Sequence, residues 1–336
     1  MKNNMFKRVL GTLSIPAIFT VVLMLICQLN GRVMLSSKIS FTNFLVYAAI
    51  IMITTIALSI NLNTGRFDFS LGSIAILSSV VGAKISYAFL ANSSAGAIVM
   101  LLISVLVGAL LGLFSGVLYN LLRIPPIITS LGVTLIFEGV TYTITQGKYL
   151  MAEVQTKAIS AFISNWINTA IIVIAVLAVI VFIFNKSKFG YNYRALKNGQ
   201  KVAVNTGIKE VSNAIICYVI CGALMGIVGF LNAARNMTIN GGSLNFGSIS
   251  IMFTAFLPMF IGGFIGRYSN EYLGYLLAGI CMSLLNSTFA VFANEITASA
   301  QSIINAVLLV VFLIYLNNER KITGLFKMSN LKRVNA

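Results

Sequence analysis

The sequence predicts an all-α integral membrane protein with about ten transmembrane helices. Three observations carry this expectation. The 336 residues are 58% hydrophobic and only 9% charged, whereas a soluble domain carries about a quarter charged residues. Apolar runs of roughly 20 residues, the length that crosses a bilayer, recur along the whole chain. With ten spans, most of the 23 Lys and Arg fall on one face, as expected of cytoplasmic loops.

In chain order, spans are predicted over 12–29, 42–61, 70–90, 96–122, 127–146, 166–184, 211–234, 248–265, 271–292 and 301–317. Lys2, Lys7 and Arg8 precede the first run, Leu13–Cys27, in the manner of a signal peptide. No small-x-small cleavage site follows, so this run is read as an uncleaved span. Pro125 and Pro126 stand where the fifth helix begins, a place that suits proline. Both termini are expected in the cytoplasm. Lys2, Lys7, Arg8, Arg66, Arg123, Arg267, the bases of the loop 185–210 and the tail bases Arg320, Lys321, Lys327, Lys332 and Arg333 then lie inside. Arg32, Lys38, Lys148, Lys157 and Arg235 lie outside. The connections leave no room for a sizeable soluble domain. A single membrane domain over 1–336 is expected, with halves 12–146 and 166–317.

The net charge of +16 is ascribed to inside loops facing acidic lipid headgroups, not to nucleic-acid binding. Cys27, Cys217, Cys221 and Cys281 all lie in apolar runs and are read as small packing residues. The chain has no His, which removes the commonest metal ligand and leaves no constellation for acid–base or metal chemistry. It also lacks the G-x-x-x-x-G-K-[ST] phosphate loop, so any ATP must be used by another chain and no cofactor is expected on this one.

Gly108, Gly112 and Gly116, and again Gly222 and Gly226, recur at four-residue spacing, a pattern that lets helices pack closely in lipid. The segment Asn63–Phe69 running into Gly72-Ser73-Ile74 is echoed, with two residues gapped, by Asn240–Phe246 running into Gly247-Ser248-Ile249. Repeats five spans apart have opposite orientation, so the echo predicts an inverted 5+5 repeat.

Gly65-Arg66-Phe67-Asp68-Phe69-Ser70-Leu71-Gly72-Ser73 resembles the G-G-[IV]-D-L-S-[VI]-G-S segment of ribose-type sugar permeases, the membrane subunits of bacterial ATP-binding-cassette importers. Arg123–Gly132, followed by Gly139 and Gln146-Gly147-Lys148, is similar to the next block of that family. Gly190–Leu196, closed by Thr206-Gly207-Ile208, resembles its cytoplasmic loop. Arg66 replaces a usual glycine, Glu138 stands where the family often has a base, and Gln200 where it usually has Glu. The resemblance implies an importer of a ribose-type monosaccharide in the bacterial inner membrane. Its partners would be cytoplasmic ATPases, a second permease subunit and an extracytoplasmic solute-binding protein. Nucleosides, branched-chain amino acids or a signalling sugar are alternative solutes, and a secondary transporter is the alternative of another class.

Candidate residues follow. In the polar run Asn185–Glu210, Tyr191, Arg194, Ala195, Leu196, Lys197, Val202, Thr206, Gly207 and Ile208 are assigned to ATPase coupling. Leu196 and Val202 are read there as apolar anchors on the ATPase; the alternative is a loop that only fixes topology. Asp68 and Ser70 either cap the third span or form a polar gate. Glu138, an acid deep within a span, either faces the pathway or pairs with a base such as Lys84. Thr129, Asn232, Arg235 and Asn245 complete the candidate translocation pathway, with an ordinary outer loop as the alternative for the last two.

Overall fold

The computed structural model describes the backbone of residues 2–90 and 93–334, and the side chains of residues 9, 11–90 and 93–318. The terminal bases Lys2, Lys7, Arg8, Arg320, Lys321, Lys327, Lys332 and Arg333 lie outside the described side chains. The first half comprises α1 (Lys2–Leu29), α2 (Lys38–Leu62), α3 (Leu71–Leu90), α4 (Gly96–Leu122), α5 (Pro126–Thr145), β1 (Tyr149–Leu150) and α6 (Lys157–Ser164). The second comprises α7 (Trp166–Lys186), α8 (Lys188–Asn205), α9 (Glu210–Asn236), β2 (Ile239–Asn240), α10 (Ile249–Phe253), α11 (Phe256–Gly266), α12 (Glu271–Val291) and α13 (Ala298–Val334).

Among the described residues, ten segments are long and apolar enough to cross a membrane, and their limits match the predicted spans within a few residues. Two details differ. The eighth span is broken into α10 and α11 at Thr254-Ala255. Pro258 is the local cause, because it has no N–H to return to Thr254 and so cannot continue the helical ladder across the break. The segment 147–165, expected outside, is also more structured than a loop. It carries α6, capped by Thr156 Oγ1 accepting from Ile159 N at 3.3 Å. It also carries β1, which pairs antiparallel with β2 through Tyr149↔Asn240 and Leu150↔Ile239.

The layers follow from which helices are apolar all round. α2, α3 and α9 form the centre, with Met52, Ile53, Ile56, Val80, Met225 and Leu231 fully buried. α1 and α13 are peripheral; Ile18, Val22, Ile303 and Val311 are about half exposed or more, which suits lipid-facing spans. The four cysteines are free and buried, and the Cys221 thiol donates to Ala57 O at 3.2 Å.

The four-residue glycine spacing marks the tightest seam, between α4 and α9. A Cβ on Gly108 would collide with Gly222 O, one on Gly112 with Tyr218 O, and one on Gly226 with Ser104 O. The two echoed segments also touch, since a Cβ on Gly72 would overlap Ser248 O.

Gly222→Leu should therefore lower stability by about 1–3 kcal/mol through overpacking, read as a lower unfolding temperature in detergent. Gly139→Ala, where a Cβ meets nothing within 4 Å, should not. Equal unfolding temperatures for the two variants would contradict the seam.

Candidate functional site

The central polar run folds as an amphipathic helix lying between two spans. α7 ends at Ser187, whose Oγ accepts from Gly190 N at 3.1 Å and starts α8. Gly190, Tyr193, Leu196 and Ala203 recur at helical spacing and are buried. The helix bends at Gly199, where the backbone becomes extended, so two short helices result. Gly207, at φ +90, closes the end. There Thr206 N bonds Val202 O at 3.1 Å and Ile208 N bonds Ala203 O at 3.2 Å.

α8 is fastened to the bundle at four places. Tyr193 Oη donates to Ile60 O on α2 at 3.1 Å, with its ring edge-on to Phe184 at 4.8 Å. Burial raises the Tyr193 pKa far above the usual phenol range, so the hydroxyl stays a donor. Lys197 Nζ pairs with Glu271 Oε1 at the start of α12, 2.7 Å away. Gln200 Nε2 donates to Glu210 at the start of α9. Gly190 abuts the Phe184 carbonyl on α7 so closely that a Cβ would overlap it.

This geometry corrects one assignment. Leu196 is 4% exposed and belongs to the core, so it is no anchor for another protein. It lies three residues beyond Tyr193 on the face turned toward the spans. Val202 at 70% and Tyr191 at 59% exposure are the most exposed apolar groups of α8, with Val204 also exposed. Arg194 is exposed and lies over the Tyr191 ring at 4.8 Å; Ala195 is half-buried.

Glu138 is buried, and its carboxylate is fully engaged. It accepts from Phe246 N at 3.0 Å, Ser248 N at 2.9 Å and Ser248 Oγ at 2.5 Å. Lys84 is not its partner: among the described residues the ion pairs are Arg32–Glu295 and Lys197–Glu271. Asn245 and Phe246 are both left-handed, at φ 55 and 67. Asn tolerates that conformation but Phe does not do so readily. The turn aims two amides at one acceptor, a backbone nest that holds an anion.

Asp68 occupies a similar place at the start of α3. Its Oδ1 accepts from Ser70 N at 2.9 Å and Ser70 Oγ at 2.6 Å, and its Oδ2 from Asn61 Nδ2 at 3.3 Å. Burial raises its carboxyl above the ordinary value, while these hydrogen bonds oppose the shift. Asp68 therefore fixes the turn leading into α3 by holding Ser70, the residue just before the helix. Neighbouring Arg66, counted from sequence as an inside-loop base, is instead 2% exposed. Its guanidinium lies against Cys217, with Nε and Nη1 unpartnered. Thr129 is buried near the start of α5 and makes only a long 3.5 Å bond to Pro125 O.

Asn232 and Asn236, four apart on α9, line a cavity of about 190 Å³ with Ser79, Thr238 and Asn240. Thr238 Oγ1 has no partner there. Arg235 lies off that face and lines a different cavity. Spacing along α9 makes the Asn232/Asn236 pair visible in the sequence; Ser79 and Thr238 carry no such signal, because they join the pair only through the fold.

The family model for the branched-chain amino acid transport system permease component matches residues 40–316. The chain belongs to this family, the membrane permeases of ATP-binding-cassette importers. This permease is 27% identical over 194 residues to the autoinducer 2 import system permease protein LsrC of Photorhabdus laumondii, a match covering 56% of each chain. It is 22% identical over 320 residues to the fructose import permease protein FruG of Bifidobacterium longum, covering 89% of this chain and 90% of that one. It thus spans a little over half the length of the LsrC relative. No solved structure matches the permease significantly. Ten apolar spans and this family make it a multi-pass protein of a bacterial inner membrane.

Leu196→Asp should leave little folded permease, because it buries an unpaired charge. Val202→Asp should remain monodisperse in detergent; similar recoveries would contradict the placement of α8. Glu138→Gln turns one acceptor into a donor facing amide donors, and should cost about 1–3 kcal/mol in thermal unfolding. Wild-type stability would refute the nest.

Proposed function

We propose that this permease forms the membrane pathway for uptake of a neutral sugar, driven by ATP hydrolysed on a separate cytoplasmic subunit. The observation that carries the proposal is the fastening of α8 to α2, α7, α9 and α12 by Tyr193, Gly190, Gln200 and Lys197. A helix outside the spans, tied to four of them, converts a push from a soluble partner into movement of the bundle. Tyr191 and Val202, with Arg194 and Lys201 around them, form the docking face.

Both termini and α8 face the cytoplasm in this reading, in keeping with the basic charge of the loop. The halves are related as an inverted 5+5 repeat, a reading supported by the contact between Gly72 and Ser248. A second permease subunit completes the pathway, and an extracytoplasmic binding protein delivers the solute. The chain itself performs no covalent chemistry and carries no cofactor.

The cavity brings the hydroxyl and amide groups of Ser79, Asn232, Asn236, Thr238 and Asn240 together with apolar walls from Ala75, Ile76, Ala233, Ile239 and Ile251, and no charged side chain is among the described lining residues. Such a lining suits a polyol. A branched-chain amino acid would leave its ammonium and carboxylate unmatched. A ribose-type monosaccharide is the first assignment. A signalling sugar is the second, favoured by the likeness to permeases named for autoinducer 2 import. A proton-coupled secondary transporter fits poorly, because Glu138 is held by three donors.

The test is uptake of labelled ribose, fructose and leucine by cells carrying the complete importer. Sugar uptake is expected, falling at least about tenfold when Asn232 and Asn236 become Leu, since a polar site discriminates strongly by hydrogen bonds. Leucine uptake in place of sugar uptake would overturn the solute class. Val202→Asp together with Tyr191→Asp should abolish uptake with the permease still in the membrane, and unchanged uptake would reject the docking face.

A further inference from the structure

A cleft of about 490 Å³ opens between α8 and the turn that joins α11 to α12. Phe184, Tyr193 and Tyr272 are buried in its lining and give it an aromatic floor. Among the described lining residues the charged ones are Arg194 and Lys197 of α8, Arg267 of the turn, and Glu271 at the start of α12. Three bases thus face one acid.

Lys197 and Glu271 pair with each other at 2.7 Å, so the surplus of positive charge resides on Arg194 and Arg267. Both arginines are exposed. Each lies over an aromatic ring, Arg194 on Tyr191 at 4.8 Å and Arg267 on Phe264 at 5.4 Å. Stacking of this kind orients a guanidinium fork, the group that binds carboxylates bidentately. The cleft is continuous with the docking face of α8, because Arg194 borders both. Its walls come from α8 and from the start of α12, and the Lys197–Glu271 pair joins them. A group seated between the walls therefore bears on two elements at once. The aromatic floor and the volume suit a stretch of peptide carrying an acidic side chain. A phosphate alone would leave that floor uncovered.

We propose that this cleft receives an acidic segment of the cytoplasmic ATPase subunit, whose carboxylates are gripped by Arg194 and Arg267. The α11–α12 turn is then a second docking element beside α8, and Arg267 does more than set topology. This inference rests on the reading of α8 as the helix that meets the ATPase.

The full-length permease is placed in nanodiscs of neutral lipid, and binding of the purified ATPase subunit of the same importer is titrated at several salt concentrations. Wild-type binding should weaken as salt rises. Arg267→Glu should weaken it at least about tenfold at low salt, as a repelling charge across an interface does. Arg267→Gln should fall between, with a shallower dependence on salt. The doubly substituted Tyr191→Asp, Val202→Asp permease separates the two readings. Lost binding there, with Arg267→Glu within about twofold of wild type, would overturn this inference and leave α8 as the docking helix. The reverse pattern would remove α8 from docking and keep the cleft. The titration is repeated in discs containing phosphatidylglycerol. An effect of Arg267→Glu confined to those discs would assign the cleft to a lipid headgroup and overturn the proposal. Absence of saturable binding by the wild type would overturn both readings.

Discussion

Within a bilayer no water is available to satisfy free amides, so every break in a helix needs an internal partner. That constraint shapes this permease more than any single hydrophobic contact. Where the chain turns at Asn245-Phe246 before α10, the exposed amides close on Glu138. Where it turns before α3, the Ser70 amide closes on Asp68. Each buried carboxylate is therefore bound to backbone, and the charge that would be costly alone fixes a turn that would be strained alone. Gly72 lets the two regions meet, because nothing larger than hydrogen fits against Ser248.

The consequence for function is a rigid centre with polar cavities at its margins. The glycine seam joins α4 to α9 along several turns, so these spans move as a unit. α9 carries Asn232 and Asn236 on one side and Arg235 on another, and its first residue, Glu210, receives the hydrogen bond from Gln200 on α8. A displacement of α8 therefore reaches one wall of the polar cavity through a single continuous helix. Tyr193 and Lys197 extend the same displacement to α2 and α12.

Much of this was legible in the sequence, for identifiable reasons. Apolar runs and charge asymmetry are local signals, and they give the ten spans nearly to the residue. The seam is legible because small residues repeat every fourth position. Leu196 was misassigned because the apolar residues of this basic stretch were all turned toward a partner, although Gly190, Tyr193 and Leu196 already stand at helical spacing on one face. The roles of Glu138 and Arg66 were hidden for a different reason. The partners of Glu138 lie 108 and 110 positions away, and Arg66 is buried by α9, far along the chain. Residue type alone marks such groups as costly; only the fold says what satisfies them.

The central claim is that α8 transmits force through its attachment to the spans. Tyr193→Phe tests it most directly, because it keeps the buried ring and removes only the hydroxyl that bonds Ile60. Solute transported per ATP hydrolysed is to be measured in proteoliposomes of the complete importer. The account predicts that ATP hydrolysis continues while transport per ATP falls severalfold. Wild-type transport per ATP in that variant would contradict it.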